Sequence, residues 1–385
     1  MFISLLTIPF LPALCRFQVF FSETCRAERL SRAGSFNHNG YEMETGKNIL
    51  VTGASGFIGA HLVKAVANRN CQVIATCRSE AGESALRSAG VQTVRIDLAK
   101  ATLEDLDRQL PDVDTVYHLA GAVSGPVAEL TRVNGEGARI LAASYARRSP
   151  PPTFVLLSSI AAGGPSSKET PREEHFDPSP VSHYGRSKLE GERGVASFYE
   201  KMPVSVVRPG IVFGPGDKEF IRILQSMYRV RLNPMIGWGN QPLALIEVSD
   251  LVDLILRIAS DGERVVGVSS KGDPERGAGV YYAAAQTPLT LKKLGKIFSA
   301  TLNQSVVPVP FHPWMAWALG VSGECFSKLT GLKTTLSRDK IREGVEAGWW
   351  VSVNKAERQL AWQPKLSLEE TMRNWIQQAQ KDGLL

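Results

Sequence analysis

Cysteine is scarce and poorly spaced for chemistry. The 385-residue chain has five, Cys15, Cys25, Cys71, Cys77 and Cys325. Their number is odd and no Cys-x-x-Cys pair occurs. That argues against a disulfide framework or a zinc site, and for a reducing compartment. No metal ligand set is expected. Dense Lys/Arg runs with interleaved aromatics are also absent, and the net charge is only +6. A nucleic-acid partner is therefore not expected, whereas a mild positive balance suits anionic phosphates. No internal repeat or long low-complexity tract is visible. What remains is ordinary: 385 residues with 43% hydrophobic and 21% charged, enough for one large α/β domain with a smaller lobe or for two ordinary domains.

The N-terminal segment lacks the marks of a clean export signal. Met1 to Phe21 is apolar, but Pro9 and Pro12 interrupt it and the nearest basic residue is Arg16. A signal peptide needs positive charge ahead of its apolar stretch, and two prolines weaken a spanning helix. Ser31 to Gly46 is polar without periodicity. Residues 1–46 are expected to be a disordered extension, with residues 1–42 read from a start codon upstream of Met43. The expected location is cytoplasmic. The alternative is a membrane-associated protein held by this apolar segment.

From Asn48 the pattern alternates strand and helix. Asn48–Val51, Val73–Thr76, Val91–Ile96, Thr115–Leu119, Phe154–Leu157 and Val204–Val207 read as strands. Phe57–Asn68, Leu103–Leu110, Val127–Arg148 and Tyr184–Lys201 read as helices. This alternation predicts an α/β fold, a Rossmann-type doubly wound parallel sheet. After Gly210, glycine and proline become frequent. Residues 47–210 are expected to form the dinucleotide-binding domain with the catalytic residues. Residues 211–385 are expected to be mainly a smaller substrate lobe, with some segments returning to the sheet.

The first strand runs into Gly53-Ala54-Ser55-Gly56-Phe57-Ile58-Gly59. Glycine 53 permits a tight turn, glycine 56 lets backbone N–H groups approach a pyrophosphate, and glycine 59 lets helix and strand pack closely. The helix start adds unpaired donors and positive dipole density. At the end of the second strand no acid is present to hold the ribose 2′-hydroxyl of NAD. Arg78 stands there and can bind a 2′-phosphate, so NADP is expected over NAD. Asp97, before Leu98, can accept a bond from an adenine amino group, or simply close a turn. Leu119, Ala120 and Gly121 leave room for the cofactor backbone, and His118 reads as a packed core histidine.

Tyr184 and Lys188 are four apart and share one helical face. A free phenol has a pKa of about 10, and a lysine charge beside it favours the phenolate. Lys188 can also bind the nicotinamide ribose, Ser159 can hold the substrate oxygen, and Asn134 can orient a water behind the lysine.

These motifs, in this order, resemble the extended short-chain dehydrogenase/reductase superfamily over about Asn48 to Gln380. The resemblance rests on the Gly-x-x-Gly-x-x-Gly turn, His118-Leu119-Ala120-Gly121, Val133-Asn134, Leu157-Ser158-Ser159 and Tyr-x-x-x-Lys. It also rests on Val207-Arg208-Pro209-Gly210, Val248-Ser249-Asp250-Leu251 and Leu360-Ala361-Trp362-Gln363-Pro364. It implies that Ser159 rather than Ser158 is the catalytic serine. Pro209, Gly210, Ile211 and Val212 should line the nicotinamide, with Arg208 bracing that loop. Members are often dimers, so a homodimer is expected by analogy.

Three departures from the family pattern narrow the chemistry. Leu243 stands where sugar-nucleotide members carry a diphosphate-binding arginine. Ile160 and Ala161 stand where 4,6-dehydratases place an acidic pair. Arg78 favours NADP, which suits net reduction. The motif pattern is similar to the 3β-hydroxysteroid dehydrogenase and dihydroflavonol reductase branches. The apolar stretch Val306–Leu319 reads as a core helix of the lobe, or else as a wall over an apolar substrate or a lipid-touching surface. Trp349 and Trp350 read as packing residues. The expected activity is hydride transfer between the nicotinamide and a secondary alcohol or ketone of a hydrophobic or cyclic small molecule. The alternatives are a nucleotide-sugar epimerase or dehydratase using NAD, and a dinucleotide-sensing protein without catalysis.

Overall fold

The computed structural model describes residues 46–267, 276–315, 317–318 and 338–385. The expected extension, save Gly46, lies outside the described residues. The strands are β1 (Asn48–Thr52), β2 (Gln72–Cys77), β3 (Gln92–Arg95), β4 (Thr115–His118), β5 (Thr153–Leu157), β6 (Val204–Pro209), β7 (Ile211–Phe213), β8 (Leu232–Ile236), β9 (Leu245–Glu247), β10 (Val280–Ala283) and β11 (Val307–Phe311). Seven of them form one sheet in the order β10-β6-β5-β4-β1-β2-β3, with every pairing parallel. The structure is thus the expected Rossmann-type α/β fold.

Parallel neighbours need crossovers, and the crossover helices cover both faces, so the central strands are buried while the edge strand β3 is partly exposed. Successive residues point to opposite faces and feed separate cores. Val51, Tyr117, Val155 and Val207 pack toward α1 (Phe57–Ala67) and a helix that arrives much later, Val248–Asp261. Leu50, Val116, Phe154 and Val206 pack toward the helices Leu103–Gln109 and Gly137–Tyr145. Each such side chain contributes about 1.5–3 kcal/mol on burial. β10 and the helix Val248–Asp261 both follow residue 210, so the second half of the chain does return to the sheet.

Two expectations change. Val127–Arg148 is not one regular helix: Val127–Leu130 and Gly137–Tyr145 flank a π-helical turn, Thr131–Glu136. Its neighbour is the helix His183–Ala196, and a Cβ on Gly191 would lie 2.1 Å from the Asn134 carbonyl oxygen. The two backbones therefore meet at a distance only glycine allows. The second change is at Val306–Leu319, which begins with a strand and not with a core helix. Val307–Phe311 is β11, paired in parallel with β8, and Trp314 and Met315 are exposed. Pro308 and Pro310 are the physical reason, because each costs a helix interior about 3 kcal/mol.

Candidate active site

The turn after β1 meets the turn after β4. Gly53 has φ +68°, and a Cβ there would lie 2.7 Å from the Ala120 nitrogen. The Thr52 hydroxyl accepts from Ala120 N–H at 3.1 Å and pairs with His118 Nδ1 at 2.7 Å. His118 is fully enclosed. Burial, and then the Lys188 charge, bring its pKa down to about 3, so it is a neutral core residue.

The start of α1 fits an anionic group. Its N-cap is Gly56, which offers no side-chain acceptor to the first-turn N–H groups. Several other helices are capped by side chains, as at Ser79, Thr102 and Ser182. The α1 amides of Phe57, Ile58 and Gly59 are thus donors the chain has not satisfied with a cap. A Cβ on Gly59 would lie 2.2 Å from the Gly53 oxygen, so helix and turn are as close as the motif requires. Ser55 lies against the next βα turn, within 3.4 Å of where a Gly82 Cβ would be. Arg78 is exposed at the end of β2 on that same turn. Asp97 accepts from Ala99 N–H at 3.1 Å and lies 4.0 Å from Lys100 Nζ, so its carboxylate closes its own turn, beside Leu98.

Ser159 follows β5 and caps a short helical turn, Ile160–Gly163, by accepting from Ala161 N–H at 3.2 Å. Tyr184 and Lys188 lie on the buried side of His183–Ala196. Burial holds the Tyr184 phenol well above its ordinary value, a bond with Ser159 lowers it, and the Glu343 and Glu219 charges raise it. Lys188 Nζ donates to the Leu157 carbonyl at 3.0 Å. Burial brings its pKa down to about 8, against the pull of Glu192. A Cβ on Gly121 would lie 2.9 Å from this Nζ and 3.0 Å from Asn134 Oδ1, so the β4 turn closes directly over both.

Asn134 is held by hydrogen bonds within the chain. Its Oδ1 accepts from Ala122 N–H, and its Nδ2 donates to the Ala122 carbonyl and to Ser187 Oγ, all at 2.8–2.9 Å. It ties the β4 turn to the tyrosine helix. Arg208 braces the next strand by a bidentate pair with Glu192, at 2.9 and 2.6 Å. Glu192 also accepts from Ser158, which directly follows β5. Beyond Pro209, Gly210 N–H donates to the Ala283 carbonyl and Ile211 N–H to the Ala244 carbonyl, and Val212 continues β7.

Sequence reasoning missed a group supplied by the helix Arg338–Gly344. Asp339 accepts from the backbone N–H of His183 and Tyr184, at 2.7 and 3.3 Å. Lys340 Nζ stands 5.7 Å from the Tyr184 ring centroid. Glu343 is buried, and neither of its carboxylate oxygens has a well-formed hydrogen bond among the described residues. Burial pushes its pKa up, tempered by Lys340 and the Ser182 hydroxyl. The Trp349 indole, a buried packing residue, donates to the Glu343 carbonyl at 2.8 Å. No local signal marks these residues, because they reach Tyr184 only across more than 150 positions. Leu243 is buried and bridges Leu289 and Trp349 through its backbone. Among the described residues, no group of three or more His, Cys, Asp or Glu is placed to hold a metal.

A parallel sheet with a glycine turn opening α1, and a Ser-Tyr-Lys group placed just after β5 and in the first turns of the helix His183–Ala196, defines a dinucleotide-binding enzyme of the extended short-chain dehydrogenase/reductase type. The chain belongs to the NAD dependent epimerase/dehydratase family, whose model matches residues 49–268. It is 32% identical to a ceramide reductase of Caulobacter vibrioides over 203 residues, which cover 52% of this chain and 57% of that protein. It is 26% identical to an N-acetyl-alpha-D-glucosaminyl-diphospho-ditrans,octacis-undecaprenol 4-epimerase of Escherichia coli O157:H7, over 77% of this chain and 85% of that one. In fold it is similar to UDP-glucuronic acid 4-epimerase from Bacillus cereus in complex with UDP-glucuronic acid and NAD. That likeness has a TM-score of 0.65 at 20% identity and covers 86% of this chain and 99% of that one.

Proposed function

We propose that the chain reduces a ketone, or oxidises a secondary alcohol, on a hydrophobic or cyclic substrate, with NADP preferred over NAD. When bound, the nicotinamide supplies or accepts the hydride. The α1 amides hold the pyrophosphate, and Arg78 holds a 2′-phosphate. Tyr184 donates the proton to the substrate oxygen while Ser159 hydrogen-bonds the same oxygen. Burial keeps the phenol protonated at neutral pH, which suits a general acid and hence the reductive direction. Lys188 binds the ribose and Asn134 holds the turn above it.

The observation that carries this reading is the apolar character of three buried positions that accompany an intact Ser159–Tyr184–Lys188 group. Ile160, Ala161 and Leu243 are all buried, at the positions where sugar-nucleotide chemistry would call for acids and a cation. The ceramide reductase relative supports an apolar substrate. The deciding experiment follows NADPH and NADH oxidation by the purified full chain against steroid, flavonoid, long-chain acyl ketone and nucleotide-sugar panels. Ketone-dependent NADPH oxidation is expected. Turnover confined to nucleotide sugars, without net cofactor consumption, would overturn the proposal.

A second reading, a nucleotide-sugar 4-epimerase with tightly held NAD, has the broader support from relatives matched over most of their length. One structural observation favours it too. Arg342 is half-exposed on the helix whose Asp339 caps the Tyr184 helix, so a cation able to meet a diphosphate does stand near the site. NAD retained through purification, and UDP-sugar epimerisation lost in Arg342→Ala, are its expected signs.

A further inference from the structure

The two-stranded sheet of the C-terminal lobe presents an apolar edge that nothing among the described residues covers. Trp238 is 75% exposed, Trp314 64% and Val307 57%, with Val230 and Leu232 also exposed. All five belong to or flank β8 and β11. Leu232 and Val307 are register partners at the start of β8 and β11. At the other end, Gly237 N–H donates to the Phe311 carbonyl at 2.8 Å, so Trp238 and the segment carrying Trp314 leave the sheet side by side. Large exposed apolar patches mark a partner surface.

The backbone of β11 selects the partner. Val307 N–H donates to the Arg231 carbonyl, so Val307, Val309 and Phe311 turn their amides toward β8. The outward-turned positions are 308 and 310, and both are proline, both exposed. This edge therefore offers no outward N–H from the strand interior. A protein strand adding to the sheet would find no donors there. An apolar medium would meet no unsatisfied N–H, the group that makes open edges costly in lipid. The outward carbonyls of Pro308 and Pro310 remain, and they suit the hydrated headgroup level rather than the hydrocarbon core.

Charge points the same way. The segments 220–246 and 280–315, which contain β8 and β11, carry six cations, Arg222, Arg229, Arg231, Lys292, Lys293 and Lys296, and no Asp or Glu. All six are exposed, and Lys293 pairs with Glu369. Because the whole chain is +6, the remainder balances to zero. Exposed tryptophans and cations carried on the same segments, with exposed apolar residues among them, are the composition of an interfacial surface on anionic lipid.

We infer that this face of the lobe seats the protein on an anionic lipid bilayer. The inference stands whether the enzyme is a reductase or an epimerase. It is tested with the full chain and vesicles of phosphatidylcholine, alone or mixed with phosphatidylglycerol. Flotation should carry the wild type with the mixed vesicles and far less with phosphatidylcholine alone, and rising salt should release it. Trp238→Ala/Trp314→Ala should lower the partition coefficient at least tenfold, as should Arg229→Gln/Arg231→Asn/Lys292→Gln, with dinucleotide binding retained. The idea fails if the wild type does not float with either vesicle. It fails equally if both variants float as the wild type does, which would place the contact in the N-terminal apolar segment. It also fails if the tryptophan variant only converts a dimer to a monomer by light scattering, which would make the patch a contact between copies.

Discussion

The two halves of the chain handle the same physical problems in opposite ways. In residues 47–210 exposed apolar side chains are few, and several helix starts are capped by their own side chains, as at Ser79, Thr102 and Ser182, while Gly56 leaves the first amides of α1 uncapped. The Gly turn, Ser159 and the Tyr184–Lys188 pair each lie within one βα unit. In residues 211–385 the relevant groups come from distant segments: Asp339 caps the Tyr184 helix, Leu243 is walled by Leu289 and Trp349, and Trp238 stands beside the segment carrying Trp314. The first half writes its chemistry in short spacings. The second assembles its surfaces by tertiary contact, and there an apolar, cationic edge is left facing outward.

That contrast breaks first at Tyr184. Tyr184→Phe should cut turnover by about 10²–10⁴-fold, the usual share of a general acid, while dinucleotide affinity by fluorescence titration stays the same. An active Phe variant would move the chemistry to the second half, with Glu343 the first alternative acid.

Glu192 tests whether the first half is as self-contained as it looks. It sits in a buried bidentate pair with Arg208 and also accepts from Ser158. Glu192→Ala leaves an uncompensated guanidinium and should cost about 3–5 kcal/mol in urea unfolding. A cost under about 1 kcal/mol would mean that the Tyr282 ring, 5.6 Å from the guanidinium, holds the arginine from the second half instead.

Arg78 sharpens the cofactor side. Arg78→Ala should raise KM for NADP by about 10–100-fold, the worth of one or two charge-assisted bonds, and leave KM for NAD nearly unchanged. Equal changes for both cofactors would reduce Arg78 to a surface residue.

The smallest effect is a pH dependence. The folded pKa of His118 is about 3, far below the ordinary value of 6.5. The unfolded chain therefore binds an extra proton between those values. The stability from this group is complete above pH 6.5 and falls as pH drops toward 3, by about 1.4 kcal/mol per unit. Urea unfolding at pH 7, 6 and 5 should show the wild type losing stability faster than His118→Gln. Parallel losses would mean that His118 is protonated in place.

Much of the fold was legible because a buried parallel strand is a short apolar run and its crossover helix has a 3.6-residue stripe. The glycine turn was legible because its function depends on backbone, and only glycine serves there. The π-helical turn at Asn134 was not, since nothing in Thr131–Glu136 distinguishes it from an ordinary turn of helix; the close approach of Gly191 decides it. The stretch at Val306–Leu319 misled because apolar content counts alike for a core helix and an exposed edge. Its two prolines were the overlooked sign.

By itself, then, the sequence determined the sheet, the phosphate turn and the Ser159–Tyr184–Lys188 spacing, because each follows from local periodicity or from a residue type no other can replace. Tertiary structure alone decided that Lys188 turns to the Leu157 carbonyl, that Asn134 braces a turn, and that Glu343 lies buried near Tyr184. Those outcomes depend on which surfaces meet across the fold, and burial and long-range contact are not properties of any short stretch of chain.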